Sequence, residues 1–208
     1  MRPFAALVST VFALTFLGTA FAVPANRELE QVFVAASPTD DVGPRACQTV
    51  YPSFIKPLYK AYPDYSAPNQ IPIGRHFEVS NRGGDSRIDS LLMFSGIPSN
   101  AYACQLEWEI PAGYPIKLLG HSQLYVYTTK RDAKPLDTWN NSPKEDSQWG
   151  TANLAQGGKA VVNSRVCHTQ LTFRIEIGQD GGSTNMGDVG FIQNSGFPFA
   201  GWRLTHSC

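Results

Sequence analysis

Alternation of apolar and polar residues with a period of two is the strongest pattern in this chain, and it predicts β-strands. In the segment Cys104 to Ile110, Cys104, Leu106, Trp108 and Ile110 share one face, and Gln105, Glu107 and Glu109 take the other. From Cys167 the same rule puts Thr169, Leu171, Phe173, Ile175 and Ile177 on one face. His168, Gln170, Thr172, Arg174 and Glu176 then lie opposite. This alternation belongs to antiparallel strands with one face on the core and one in water. Further strands are expected from Ile73 to Ser80, Ile88 to Phe94, Ile116 to Thr128, Gly190 to Gln193 and Phe199 to His206. Turn residues such as Arg82-Gly83-Gly84-Asp85, Pro111-Ala112-Gly113 and Gly157-Gly158 punctuate the intervals. Helical periodicity is confined to a short helix expected between Tyr51 and Ala61, limited by Pro52 and Pro57. The stretch from Pro135 to Gly158 reads as a polar segment with little alternation. The pattern as a whole predicts an all-β fold, a single antiparallel β-sandwich or jelly-roll-like domain.

The start of the chain adds a compartment. Arg2 precedes an apolar run from Phe4 to Phe21, and Ala20-Phe21-Ala22 fits the small-x-small pattern cut by signal peptidase. A permanent membrane anchor is the rival reading, but no basic cluster follows the run and Pro24 interrupts it. Residues 1–22 are therefore expected to be a signal peptide and 23–46 a leader segment, with the domain over 47–208. The expected product is secreted and extracellular, with no membrane association after cleavage. Cleavage removes Arg2 and no acid from a chain of 17 basic and 17 acidic residues, leaving a near-neutral surface. That balance argues against nucleic acid, whose phosphates call for clustered Lys and Arg.

Four cysteines, Cys47, Cys104, Cys167 and Cys208, are an even number in a chain expected to be exported, which favours two disulfides. No two are close enough in sequence for a zinc-type C-x-x-C pair. Strand parity turns Cys104 and Cys167 toward the core, where they can meet, and Cys208 shares the parity of Trp202 and Leu204. Pairing of Cys104 with Cys167 and of Cys47 with Cys208 is thus the preferred one of three connectivities.

Several short motifs resemble the But-two C-terminal domain family. They are Tyr51-Pro52-Ser53-Phe54-Ile55, Cys104-Gln105-Leu106-Glu107-Trp108 followed by Pro111, Trp139-Asn140-Asn141-Ser142-Pro143, and Gly201-Trp202-Arg203-Leu204. The resemblance implies a fungal, usually secreted, β-rich domain, and it supplies no active-site residues. The family name refers to binding a subunit of the enzyme that activates a ubiquitin-like modifier, a partner inside the cell. The export signal is at odds with that partner.

Candidate chemistry is sparse. Glu107 and Glu109 lie two apart on one strand, roughly 7 Å at the usual rise, near the carboxylate spacing of inverting glycosidases. Alternating Glu is also ordinary on a solvated sheet face, so no catalytic residue is assigned. His76, His121, His168 and His206 lack metal-site spacing, with His168 expected at the surface and His206 in the core. Gly120-His121-Ser122-Gln123-Leu124 lacks the closing Gly of a nucleophile elbow. No phosphate-binding glycine motif occurs, so no cofactor or metal is expected. The oxygen-rich loop Asp180 to Asp188 reads as a hairpin turn, without the EF-hand spacing for Ca²⁺. Trp139 and Trp149, with Asn140 and Asn141, are the candidate ligand-contact residues. Exposed rings beside amides can stack on sugars, whereas folded-back rings would cover a core edge. Asn140-Asn141-Ser142 is an N-glycosylation sequon, with Pro143 lowering its occupancy. The expected function is that of an extracellular or wall-associated binding protein, possessing effector-like features, whose partner is an extracellular protein or a glycan.

Overall fold

Twelve strands, all paired antiparallel, account for the regular structure of the computed structural model, which describes residues 47–71, 73–178 and 185–208. The expected signal peptide, the leader segment and most of the Asp180 to Asp188 loop lie outside the described residues. A four-stranded sheet has the order β1 (Gln48–Val50), β12 (Gly201–His206), β5 (Cys104–Ile110) and β9 (Gly158–Arg165). The larger sheet runs β6 (Ile116–Gly120), β11 (Gly187–Ile192), β3 (His76–Asn81), β4 (Arg87–Ser95), β10 (Gln170–Ile177), β7 (Gln123–Thr129) and β8 (Glu145–Asn153). Outside that path, β2 (Phe54–Tyr59) also pairs with β4. The fold class is therefore all-β, with two antiparallel sheets in a sandwich-like arrangement.

The main core lies between the sheets. Leu106, Trp108, Ile110, Trp202 and Leu204 of the small sheet meet Phe77, Leu92, Phe94, Val126, Phe173 and Ile175 of the large one. The Trp202 ring stands edge-on to Phe77 at 5.5 Å between centroids, and Phe77 stacks on Phe191 at 5.0 Å. These are favourable aromatic geometries across the layer. Gly201, at φ +118°, admits a side chain where a strand partner would stand. A Cβ there would lie 2.2 Å from the Gln193 side-chain oxygen. Gln193 is buried, accepts from the Trp202 N–H at 2.8 Å and donates to the Trp202 carbonyl at 2.9 Å. One side-chain amide thus completes both backbone bonds of a buried residue.

Three expectations from sequence are corrected. The helix expected between Tyr51 and Ala61 is strand β2, with Pro57 opposite Ser90 of β4. It escapes the usual exclusion because β2 has one strand neighbour, where a missing N–H is tolerated. Its other edge is closed by chain, since Ile55 N–H donates to Asn69 Oδ1 at 2.9 Å and Gln70 N–H to the Ile55 carbonyl at 2.7 Å. The single strand expected from Ile116 to Thr128 breaks at Gly120, which takes φ +65°. Its halves go to distant places, β6 beside β11 and β7 between β10 and β8. The polar segment from Pro135 to Gly158 contains strand β8, whose alternation is interrupted by two register shifts against β7.

The structure joins Cys104 to Cys167 and Cys47 to Cys208, the pairing that strand parity favours. The second bond flanks the β1–β12 pair, where Gln48 lies opposite His206. It closes a loop of sequence separation 161, against 63 for the first. In the chain-entropy treatment these loops are worth about 5 and about 4 kcal/mol. A Cys47→Ser/Cys208→Ser protein is therefore expected to lose up to about 5 kcal/mol of stability. Urea unfolding checks this, and an unchanged midpoint would show that the end-to-end bond contributes nothing.

Candidate functional site

The outer face of β10 was expected in water, and it is covered. Residues 131–142 cross the large sheet as a strap, and their Ala133 joins Phe54, Leu58 and Leu91 in a second apolar cluster, with Met93 and the strap's Trp139 packed against it. Arg174 and Glu176, the polar positions of β10, are consequently half-buried and buried. Local bonds fold the strap. Asp137 accepts from the Lys134 N–H at 2.7 Å and from both terminal nitrogens of Arg131, at 3.0 and 2.7 Å. Thr138 N–H donates to Asn141 Oδ1 at 2.6 Å, and Ala133 N–H to Thr172 Oγ1 at 3.2 Å. Lys56, wholly buried on β2, fastens the strap by donating to Ser66 Oγ at 2.7 Å and to the Pro135 carbonyl. Burial lowers the Lys56 pKa, and nearby Asp137 opposes that shift.

An ionic cluster sits under the same cover. Asp89 on β4 is 0% exposed and accepts from Arg87 Nε at 2.8 Å and Arg174 Nε at 2.9 Å. Arg87 also meets Glu176, which accepts from the Tyr127 hydroxyl at 3.2 Å. Glu145 lies 3.4 Å from Arg174. Three carboxylates thus face two guanidinium groups. Burial first, and then the Asp89 charge, push the Glu176 pKa up to about 7, with Arg87 opposing. The Trp139 ring closes the cluster, with Arg174 and Arg87 carbons 5.0 and 5.6 Å from its centroid. Such contacts are stronger when water is kept away.

The candidate ligand-contact residues therefore part company. Trp139 is half-buried over the cluster, and Trp149 stacks on Phe173 at 5.0 Å against the main core. Asn140 and Asn141 are both exposed; Asn141 accepts from the Thr138 N–H, and Asn140 donates from Nδ2 to Asp64 Oδ1 at 2.8 Å. The two tryptophans belong to different clusters and form no shared platform. Glu107 and Glu109 are engaged with one another's partner. Arg203 donates from Nε to Glu107 at 2.9 Å and lies 3.0 Å from Glu109 through its other nitrogen. Thr205 also donates to Glu107 at 2.8 Å. His168 is exposed and His206 buried, as their positions along the strands suggested. Among the described residues no group of three or more His, Cys, Asp and Glu could hold a metal ion, and no helix is long and apolar enough to cross a membrane.

Two β-sheets sealed by two disulfides, with a strapped polar face, define a small disulfide-closed β-domain. A family model described as "Ubiquitin 3 binding protein But2 C-terminal domain" matches residues 50–195, and the chain belongs to that family. The match stops before β12, so the Gly201 to Leu204 motif and the Cys47–Cys208 bond lie beyond it. A comparison with curated proteins finds no match.

Two outcomes test the strap. Folding raises the Glu176 pKa from its ordinary value of 4.5 to about 7, so the proton is held more tightly in the folded state. Its contribution to stability is complete below pH 4.5 and is lost as the pH rises through 7. Glu176→Gln should flatten stability across that window, as measured by urea unfolding at several pH values, and an unaltered slope would contradict it. Trp139→Ala should cost about 2–3 kcal/mol, less than a fully buried ring, and lower the melting temperature clearly. An unchanged melting temperature would mean that the ring covers nothing.

Proposed function

We propose that this protein is an exported, non-catalytic binding module, extracellular or wall-associated, whose partner is another protein. Membership of the family carries the reading, because the family's description is that of a binding protein. The surface supports it. Phe197 is fully exposed at the turn between β11 and β12, where a large aromatic ring gains nothing from folding. The base of that turn is bonded to a neighbouring one through Gln193 N–H and the Arg75 carbonyl at 2.7 Å. Ile73 and Ile192, beside those two residues, are 64% and 47% exposed. An exposed aromatic ring on a turn with a bonded base has the make-up of an interface anchor. The carboxylates best placed for catalysis are meanwhile tied to arginines, which supports binding over turnover. The expected signal peptide and the two disulfides support export, and they favour a partner outside the cell over an intracellular ubiquitin-related one.

Labelled protein purified from culture medium, applied to intact cells of the producing organism, tests the proposal. Its N-terminus should be Val23, and it should bind saturably until the cells are treated with protease. Phe197→Asp should weaken binding at least about tenfold with an unchanged melting temperature. Binding abolished only by glucanase or chitinase would replace the protein partner with a glycan. Absence of saturable binding would overturn the reading altogether.

A further inference from the structure

We infer that the hollow between the β7 end and the β9–β10 connection is a binding site for a sulfate or phosphate group carried on a larger ligand. This site is separate from the Phe197 tip and does not depend on it. The hollow encloses about 300 Å³ and is lined mainly by polar side chains, among them Lys130, Arg165 and His168 from two different segments. Among the described residues, none of these three side chains makes an ion pair or hydrogen bond. Lys56, Lys60, Arg82, Arg87, Arg174 and Arg203, by contrast, all have acidic or carbonyl partners. Two unpaired cations, Lys130 and Arg165, lining one concavity raise the local positive potential, and low-dielectric walls concentrate it.

The neighbouring charges cancel that potential only in part, because the Asp132 carboxylate offsets one positive charge where Lys130 and Arg165 supply two. Arg131 lines the hollow, but its guanidinium is turned to Asp137 and the Asn141 carbonyl under the strap. Asp132 is the acid in the lining, and it accepts from Thr172 Oγ1 at 3.1 Å. Both walls are fixed before any ligand arrives. The Cys104–Cys167 bond holds the segment carrying Arg165 and His168. On the other wall, Thr129 Oγ1 is bonded to the Arg131 carbonyl at 2.9 Å and the Thr172 carbonyl at 3.2 Å. Preorganised donors bind without the cost of ordering loops. Arg gives a planar fork and Lys a point charge, a combination suited to tetrahedral oxyanions.

The test titrates the mature protein with inorganic sulfate and inorganic phosphate, following the His168 ring signals by NMR. Sodium chloride at matched ionic strength is the control. Saturable shifts are expected with the oxyanions and not with chloride. Arg165→Gln and Lys130→Gln should each weaken them at least about fivefold while leaving the melting temperature unchanged. A sulfated oligosaccharide and a phosphorylated peptide, each competing with the free anion, then distinguish the two sources of the group. Equal shifts with chloride, or oxyanion binding indifferent to both substitutions, would overturn the site.

Discussion

A carboxylate with no access to water, Asp89, organises one half of this protein. Removing a charge from water is costly unless it is both paired and hydrogen-bonded, and two guanidinium groups supply both conditions. Those groups need a cover that excludes water without taking their hydrogen bonds. Trp139 provides one, with the two guanidinium carbons 5.0 and 5.6 Å from its ring centroid. The strap carrying Trp139 must in turn be anchored, which is the role of Lys56 and of the Asp137 turn. Each element is thus present because the previous one would be unfavourable alone. Breaking a buried pair from one side is far worse than never having it, so the set is cooperative.

This arrangement decides how the chemistry of the chain should be read. Perturbed carboxylates in a cleft are often catalytic. Here the perturbed residue, Glu176, is raised by burial first and then by the Asp89 charge, and structural networks produce the same signature. The reactive-looking groups are consumed in holding the fold. Among the described residues, the Phe197 turn and the hollow beside the Cys104–Cys167 bond lie apart from this network.

Much of the architecture was legible from the sequence, and the failures have physical causes. Alternation located β5 and β10 because those strands put apolar side chains on the main core. The same alternation misread the outer face of β10, since Thr172, Arg174 and Glu176 look solvated whether water or a strap lies above them. One signal was present. Asp89 shares its face with Leu91 and Met93, so that side of β4 could not be simply wet. The short helix expected around Pro52 and Pro57 gave way to β2 because tertiary pairing with β4 outweighs local preference. The tryptophans were recognisable as notable residues, but their destinations were set by contacts with Arg87, Arg174 and Phe173, remote in sequence and invisible to local pattern.

Residues 131–142 are part of the folded core and not a loop resting on it. Native-state hydrogen exchange of the strap amides measures this most directly. Ala133, Lys134 and Thr138, whose N–H groups are bonded to side chains of β10 and of the strap, should exchange with the same opening free energy as amides at the centre of β10. Exchange of these three through a separate, low-energy opening that leaves β10 protected would contradict the account.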